Sequence, residues 1–216
     1  MNRDLTMKAA IFDMDGTLID SMTQWRKLNV EFVRSHGITP TPEQEDDMFS
    51  LSGSKVVGYY KETFGIEADF NDLLVKACAG MAAAYRAGMP LKPGTQDYLA
   101  RLRARGVKCV VCSASPCNLV LLALNRMNLT KDFDLIYSTE LIGGHKGEAA
   151  FYDRLCEMIG EKKEDCVMFE DALYAMEGAR KAGLGVIGIT DDTNAVVREQ
   201  LKTLCDRVID SYDELV

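Results

Sequence analysis

The chain has 216 residues, 47% of them apolar, and a formal net charge of −8 with an isoelectric point near 4.9. This length and apolar content predict one large domain, or one domain with a sizeable insertion. The acidic balance disfavours nucleic acid and anionic membrane surfaces as partners, because both carry negative charge themselves.

The sequence predicts neither a membrane span nor an export signal. No stretch approaches the roughly 20 consecutive apolar residues of a transmembrane helix, and the first residues lack the apolar segment of a signal peptide. Seven cysteines, an odd number scattered along the chain, suit a reducing compartment better than a disulfide framework. We therefore expect a cytoplasmic protein, and we interpret Cys109 and Cys112 as buried packing residues on a strand.

The first predicted element is a buried strand over residues 8–12 that ends in two acids. The sequence there continues Asp13-Met-Asp15-Gly16-Thr17-Leu18. Side chains two apart on extended backbone point the same way, so Asp13 and Asp15 can face one reacting atom. Two such carboxylates can bind a metal or divide nucleophilic and acid work between them. Gly16 would let backbone amides approach an anion closely.

Residues 20–89 then form a block without strand-like spacing. Apolar periodicity predicts helices over residues 25–35, 55–64 and 71–87. Because the later strands follow this block, it is an insertion that begins near the carboxyl end of the first strand, where open α/β sheets bind ligands. We expect a catalytic core of residues 1–19 and 90–216, with residues 20–89 as a helical cap that acts as a lid.

After Pro93-Gly94 the chain alternates between helices and short apolar strands. Strands are predicted over residues 107–112, 135–137, 166–169, 185–189 and 207–209. Helices are predicted over residues 95–105, 116–127, 148–159 and 172–182, with a helical turn over 211–215. This alternation predicts the α/β class, with a parallel sheet between layers of helices.

A hydroxyl group follows the second predicted strand directly. Ser113-Ala114-Ser115 precedes a helix opened by Pro116. The Ser113 hydroxyl and the free amides of this helix start suit a phosphate oxygen. We interpret Ser115, in contrast, as the N-cap of the helix.

Two later segments carry a lysine and a second pair of acids. The glycine-rich loop Gly143-Gly-His145-Lys146-Gly places Lys146, a compact positive charge, just before a helix. We expect His145 to be its exposed neighbour. The strand over residues 166–169 ends in Glu170 and Asp171, whose hard oxygens suit Mg²⁺.

Together these segments resemble the four signature motifs of the haloacid dehalogenase superfamily. In order they are Asp13–Leu18, Ser113, Lys146 and the pair Glu170-Asp171. Residues 169–183 are particularly similar to the β-phosphoglucomutase and phosphoglycolate phosphatase branch, except that Ala172 replaces its usual serine. The resemblance implies a Rossmann-like three-layer α/β/α core with an inserted all-helical cap.

The resemblance also implies a Mg²⁺-dependent phosphohydrolase that acts on a small phosphomonoester, a sugar phosphate or a similar metabolite. Asp13 would attack phosphorus and form an aspartyl-phosphate, while Asp15 protonates the leaving oxygen and then activates water. Mg²⁺ would be bound by the carboxylates of Asp13, Glu170 and Asp171 and by the Asp15 backbone carbonyl. The phosphoryl oxygens would be bound by Gly16, Thr17, Ser113, Ala114 and Lys146.

A phosphomutase of the β-phosphoglucomutase type is the main alternative, because it would share all four motifs. Mutases of this branch have basic residues on both sides of a cap-loop glycine. Here the loop reads Leu-Ser52-Gly53-Ser54-Lys55, with only one cation. This pattern disfavours a mutase. Ser52, Gly53, Ser54 and Lys55 stay candidate substrate contacts, although they equally suit a helix cap and a solvated helix start.

Three further alternatives follow from the same motifs. Dehalogenation is disfavoured by Asp15, because no leaving group needs a proton there. Phosphonate cleavage would need a cap lysine that forms a Schiff base, and Lys55 and Lys61 are candidates by type alone. A binding module without activity would be expected to lack one of the acids or Lys146.

We expect a small phosphorylated molecule as the partner, and a monomer is favoured.

Overall fold

The computed structural model describes residues 6–51, 55–190 and 198–216. The chain divides into two compact units. The first, called the core unit below, combines Met1–Asp20 with Gly88–Val216, and the second, the helical unit, is Ser21–Ala87. In the described ranges, no helix is both long enough and apolar enough to cross a membrane.

The core unit contains a six-stranded sheet whose neighbouring strands are all parallel. Its strands are β1 Ala9–Phe12, β2 Lys108–Ser113, β3 Leu135–Ser138, β4 Cys166–Glu170, β5 Gly185–Ile189 and β6 Arg207–Ile209. Their order is β3-β2-β1-β4-β5-β6. The winding reverses between β1 and β4, and sheets of this kind bind ligands at that reversal. The predicted parallel α/β sheet of Rossmann-like type is confirmed.

The described part of the helical unit forms four helices. They are α1 Met22–Arg34, α2 Pro42–Ser50, α3 Lys55–Phe64 and α4 Phe70–Ala87. Buried apolar side chains from all four meet in one cluster that includes Val30, Val33, Met48, Tyr60 and Leu73. Burial of each such side chain stabilises the unit by roughly 1.5–3 kcal/mol.

Helix α2 has no counterpart among the predicted elements, because its residues are mostly polar or acidic. It starts with a capping box. The Thr41 hydroxyl accepts from the Gln44 amide at 3.3 Å, and the Gln44 side chain accepts from the Thr41 amide at 2.9 Å. The spacing of threonine and glutamine is readable in the sequence and could have indicated this helix.

The core unit has six α-helices in its described residues. They are α5 Thr95–Ala104, α6 Cys117–Arg126, α7 Thr139–Ile142, α8 Ala149–Ile159, α9 Leu173–Ala182 and α10 Arg198–Leu204. The four predicted helices of this unit are confirmed within one residue at each end. Helices α7 and α10 were missed, because four and seven residues are too few to show a helical period.

Strand β1 lies inside the sheet, and all four of its residues are buried. The Phe12 ring stacks on the Phe169 ring of β4 with centroids 4.5 Å apart. Phe12 is in register with Val111 of β2 and with Phe169. The residues that follow β1, β2 and β4 therefore emerge close together at one edge of the sheet.

All seven cysteines lie in the described ranges and are free thiols. Cys109 and Cys112 are buried on β2, which confirms them as packing residues. Burial raises the pKa of both thiols to about 12. Thiols in that state are poor nucleophiles and poor metal ligands at neutral pH.

Candidate active site

Two acids follow β1 at the carboxyl edge of the sheet. The Asp13 amide donates to the Phe169 carbonyl at 2.9 Å, which fixes the Asp13 backbone against β4. Asp13 is buried with 6% of its surface exposed, whereas Asp15 is partly exposed. The two acids therefore differ in solvation, which suits a nucleophile and a proton carrier.

The chain turns sharply after Asp15. Gly16 has a φ of 77°, a backbone conformation that favours glycine. Its amide donates to the Ile19 carbonyl at 2.8 Å, and the Leu18 amide donates to the Met14 carbonyl at 2.9 Å. The Gly16 amide thus stabilises the turn, and its predicted contact with phosphate stays a prediction.

Two serines at the end of β2 lie beside this turn. Ser113 is buried, and its Oγ accepts from the Ser115 amide at 3.1 Å. The Ser115 Oγ donates to Oδ2 of Asp15 at 2.8 Å. The expectation that Ser115 caps the next helix is wrong, because Pro116 occupies the N-cap position of α6 and the Ser115 hydroxyl is directed to Asp15 instead. Ala114, between the serines, is exposed.

Lys146 connects the acids of two strands. It lies between α7 and α8 with 2% of its surface exposed. Its Nζ donates to Oδ1 of Asp13 at 2.5 Å and to Oε2 of Glu170 at 2.8 Å. Buried charges are costly unless they are paired, so each carboxylate depends on this ammonium. Lys146 thereby links the acids at the ends of β1 and β4 through two ion pairs.

The loop that carries Lys146 is packed directly on α9. A Cβ atom added at Gly178 of α9 would overlap the Lys146 carbonyl oxygen and lie 2.8 Å from the Gly147 carbonyl carbon. The start of the loop is held by Arg154 of α8, which donates to the Gly143 carbonyl at 2.5 Å. Lys146 therefore extends from a braced backbone.

His145 is exposed, as expected, and packs on the same helix. Its ring stacks on Tyr174 of α9 with centroids 4.9 Å apart, and its Nδ1 accepts from the Gly147 amide at 3.0 Å. These contacts assign His145 to the support of the Lys146 loop.

Three buried carboxylates form a group that fits a divalent cation. One oxygen of each of Asp13, Glu170 and Asp171 lies within 4.8 Å of the others. Thr17 Oγ1 donates to Oδ1 of Asp171 at 3.3 Å, which orients that carboxylate. The other oxygen of Glu170 accepts from the amides of Asp171 and Ala172 at 3.3 and 3.2 Å. Hard carboxylate oxygens are the donors that Mg²⁺ prefers, so the residues present suit this ion.

The charges of the site also favour a bound cation. The pKa of Asp13 is raised to about 8: burial is the main cause, the Glu170 and Asp15 carboxylates add to it, and Lys146 opposes it. Burial disfavours the charged form of Lys146 as well, but Asp13 and Glu170 outweigh it and hold the pKa of Lys146 well above its usual value. One ammonium thus faces several carboxylates. A divalent cation would supply the missing positive charge and favour ionised Asp13.

The substrate contacts expected in the helical unit are mostly outside the described residues, since Ser52, Gly53 and Ser54 all fall in the gap after residue 51. Lys55 is the exposed first residue of α3. The core motifs differ in this respect, because Asp13, Asp15, Ser113, Lys146, Glu170 and Asp171 all lie in the described core unit.

Sequence reasoning missed the contact of Ser115 with Asp15. Ser113 and Ser115 have the same two-residue spacing as Asp13 and Asp15, but this spacing does not indicate that the two segments meet. The capping interpretation concealed it, because serine before a proline-started helix is a frequent N-cap.

The site is thus a group of buried carboxylates and one lysine at the carboxyl edge of a parallel α/β sheet. A model of the haloacid dehalogenase-like hydrolase family matches residues 7–183. The chain is 27% identical over 176 residues to hexitol phosphatase B of Escherichia coli K12, which covers 81% of this chain and 79% of that protein. It is also 27% identical over 216 residues to phosphoglycolate phosphatase of Agrobacterium fabrum. That match covers 95% of this chain and 89% of the phosphatase.

Solved structures show the same fold. A mutant of CbbY from Rhodobacter sphaeroides, in complex with xylulose 1,5-bisphosphate, superimposes with a TM-score of 0.82 at 20% identity and covers 97% of this chain and 96% of that one. Because the family model spans most of the sequence, the chain belongs to the haloacid dehalogenase-like hydrolase family. The predicted enzyme class, a phosphatase of this family, is confirmed.

Proposed function

We propose that the protein is a Mg²⁺-dependent phosphohydrolase that acts on a small phosphomonoester, a sugar phosphate or a similar metabolite, through an aspartyl-phosphate. The observation that carries this proposal is the buried contact of Lys146 with Asp13 and Glu170. It combines a nucleophile, a positive charge for phosphoryl oxygens and metal ligands at one sheet edge. Relatives named hexitol phosphatase and phosphoglycolate phosphatase support this substrate class.

Asp13 is the proposed nucleophile, and Asp15 the proposed proton carrier. The Asp13 carboxylate attacks phosphorus, and the bond to the leaving oxygen breaks while Asp15 gives that oxygen a proton. Asp15 then takes a proton from water, which attacks phosphorus and releases inorganic phosphate from Asp13. The deeper burial of Asp13 and the partial exposure of Asp15 support this division of roles.

The remaining groups of the site bind the phosphoryl oxygens and the metal. Mg²⁺ would be held by the carboxylates of Asp13, Glu170 and Asp171 and by the Asp15 carbonyl oxygen. When bound, it neutralises charge on the phosphoryl oxygens. The amides of Gly16, Thr17 and Ala114, the Ser113 hydroxyl and the Lys146 ammonium would contact the same oxygens. Among the described residues, Ser113 accepts a hydrogen bond but donates none, which keeps its proton for this purpose.

A phosphomutase of the β-phosphoglucomutase type is the alternative that this machinery would also serve. It would need the cap to hold a second phosphate or the far end of a sugar phosphate, and the described residues offer no contact that favours it. Lys61 is disfavoured as the lysine of phosphonate cleavage, because it pairs with Glu67 at 2.8 Å and this contact raises the pKa of Lys61, whereas Lys55 stays a candidate by type alone. An amine that stays protonated forms Schiff bases poorly.

The proposal is tested by phosphate release from a panel of phosphomonoesters with and without Mg²⁺. The panel contains hexitol phosphates, phosphoglycolate, nucleoside monophosphates and β-glucose 1-phosphate, for which glucose 6-phosphate is followed as well. We expect Mg²⁺-dependent phosphate release that Asp13→Asn reduces to below about one thousandth. Asp153→Asn, a change at a surface aspartate paired with Lys163, is the matched control and should leave activity unchanged.

Two results would contradict the proposal. Full activity of Asp13→Asn would exclude Asp13 as the nucleophile. Formation of glucose 6-phosphate without net phosphate release would favour the mutase.

The cellular setting belongs to the same proposal. Seven free thiols support a reducing cytoplasmic location, and the net charge of −8 supports a small-molecule substrate over nucleic acid or a membrane surface. We propose a monomer as the working unit.

A further inference from the structure

We propose that Ser115 is a positioning residue, whose hydroxyl holds the Asp15 carboxyl in the orientation in which it protonates the leaving oxygen. This inference rests on the proposed phosphatase mechanism and adds a residue to it. Its basis is the 2.8 Å hydrogen bond from Ser115 Oγ to Asp15 Oδ2, which joins residues 100 positions apart.

Ser115 is itself firmly held. It is 8% exposed, and its amide donates to Ser113 Oγ at 3.1 Å. The ring of Pro116 restricts its backbone to extended conformations. A donor fixed through both its backbone and its surroundings can fix its acceptor in turn, which is how supporting residues preorganise catalytic groups.

Asp13 and Asp15 are oriented by different groups. Lys146 already fixes the Asp13 carboxylate, whereas Asp15 is partly exposed and follows the end of the strand. A charge-assisted hydrogen bond to a partly exposed carboxylate favours the rotamer in which that bond forms.

The bond also distinguishes the two oxygens of Asp15. In the proposed role, Oδ2 accepts from Ser115 and Oδ1 is the oxygen that delivers the proton to the leaving group. As the bond from phosphorus to the leaving oxygen breaks, its electron pair stays on that oxygen, which takes the proton from Oδ1. Asp15 is left ionised, with Ser115 still donating to Oδ2.

A leaving-group comparison separates this role from a merely structural one. An alkyl phosphomonoester has a poor leaving group that must be protonated, whereas p-nitrophenyl phosphate releases a stable phenolate that needs no proton. The parameter kcat/KM reports only the steps up to release of the leaving group. The later hydrolysis of the aspartyl-phosphate therefore does not affect it. A loss of proton-transfer geometry therefore lowers kcat/KM for the alkyl substrate selectively.

The experiment measures kcat/KM for wild type, Ser115→Ala and Ser115→Cys with both substrates in saturating Mg²⁺. We expect both variants to lose about 10- to 100-fold on the alkyl substrate, a part of what general acid catalysis contributes, and less than about 3-fold on p-nitrophenyl phosphate. Ser115→Cys keeps the side-chain size with a weak donor, so it reports on the bond if the alanine variant folds poorly.

Ser138→Ala is the matched control. Ser138 is a fully buried serine at the end of β3, and its Oγ has no hydrogen-bond partner among the described residues. Its removal should leave both substrates unaffected.

Equal losses on both substrates would overturn the positioning role, as would no loss on either. The failure of the proposed function would look different, because wild-type protein would then show no activity that Asp13→Asn removes.

Discussion

At the scale of single residues, Lys146 supplies the positive charge that balances the buried carboxylates of the site. Its ammonium is buried with hydrogen bonds to both Asp13 and Glu170. Without it the two carboxylates would be buried without a counter-charge, which costs more than an ion pair contributes. The same residue thus serves the stability of the fold and, in the proposed mechanism, phosphate binding.

Lys146→Met removes this charge and keeps most of the side-chain volume. We expect the free energy of unfolding in metal-free buffer to fall by about 3–5 kcal/mol, and Mg²⁺-dependent activity to fall at least about 100-fold. Urea denaturation and phosphate release measure the two effects. The control Lys163→Met removes a surface lysine paired with Asp153 and should change neither. An unchanged unfolding free energy for Lys146→Met would contradict the buried pairing.

The Asp171→Asn variant tests the metal site through protein stability, which is measured without turnover. Mg²⁺ bound only to the folded state should stabilise the protein by about 2.7 kcal/mol at 100 times its dissociation constant. Asp171→Asn keeps an acceptor for Thr17 but removes a ligand charge, so the Mg²⁺-dependent rise in Tm should shrink strongly. A variant that keeps the full rise would place the ion elsewhere, and Asp153→Asn serves as the control that should keep it.

At the scale of elements, the contact of α9 with the Lys146 loop determines where the lysine lies. Gly178 is the point of closest approach, because any side chain there would overlap the loop backbone. The helix also follows directly on β4 and its acids, so a shift of α9 would move both halves of the site.

Gly178→Ala should therefore destabilise the fold by about 1–3 kcal/mol and reduce activity. Gly58→Ala is the matched control in the middle of α3, where nothing lies within 4 Å of the added Cβ. That change should be neutral or stabilise by up to about 1 kcal/mol, since alanine is the better helix former. Chemical denaturation of both variants measures the difference, and equal stability of the two would refute the close contact.

The structural elements also show what the sequence could and could not predict. Long periodic helices and apolar strands were found within a few residues, because burial on one face leaves a repeating pattern. Helices α2, α7 and α10 were missed because they are polar or short. At the site, the acids and Lys146 were predicted since their residue types and order are unusual. The hydrogen bond from Ser115 to Asp15 was not predicted, because it depends on how two strand ends are aligned in space.

At the scale of the whole molecule, the chain is a sheet-based core unit interrupted by a helical unit, and each has its own buried core. The predicted role of the helical unit, to act as a lid, stays a prediction. Neither unit depends on disulfides, since every cysteine is a free thiol.

Thiol labelling checks this description of the interior. Cys78 and Cys117 are partly exposed and the other five cysteines are buried. We expect two thiols to react with iodoacetamide in the native protein, and all seven after denaturation without a reductant. The mass of the intact labelled protein gives the number of modified thiols directly. Fewer than seven adducts in the denatured protein would reveal a disulfide that this structure does not contain.

The central claim is that Asp13 becomes phosphorylated during turnover, and chemical trapping tests it most directly. Enzyme quenched during turnover is reduced with borohydride, which converts an aspartyl-phosphate to homoserine, and the peptide that contains both acids is sequenced by mass spectrometry. We predict homoserine at position 13, unmodified Asp15, and no conversion in Asp13→Asn. Substrate hydrolysis with position 13 unmodified, or homoserine at position 15 instead, would contradict the account.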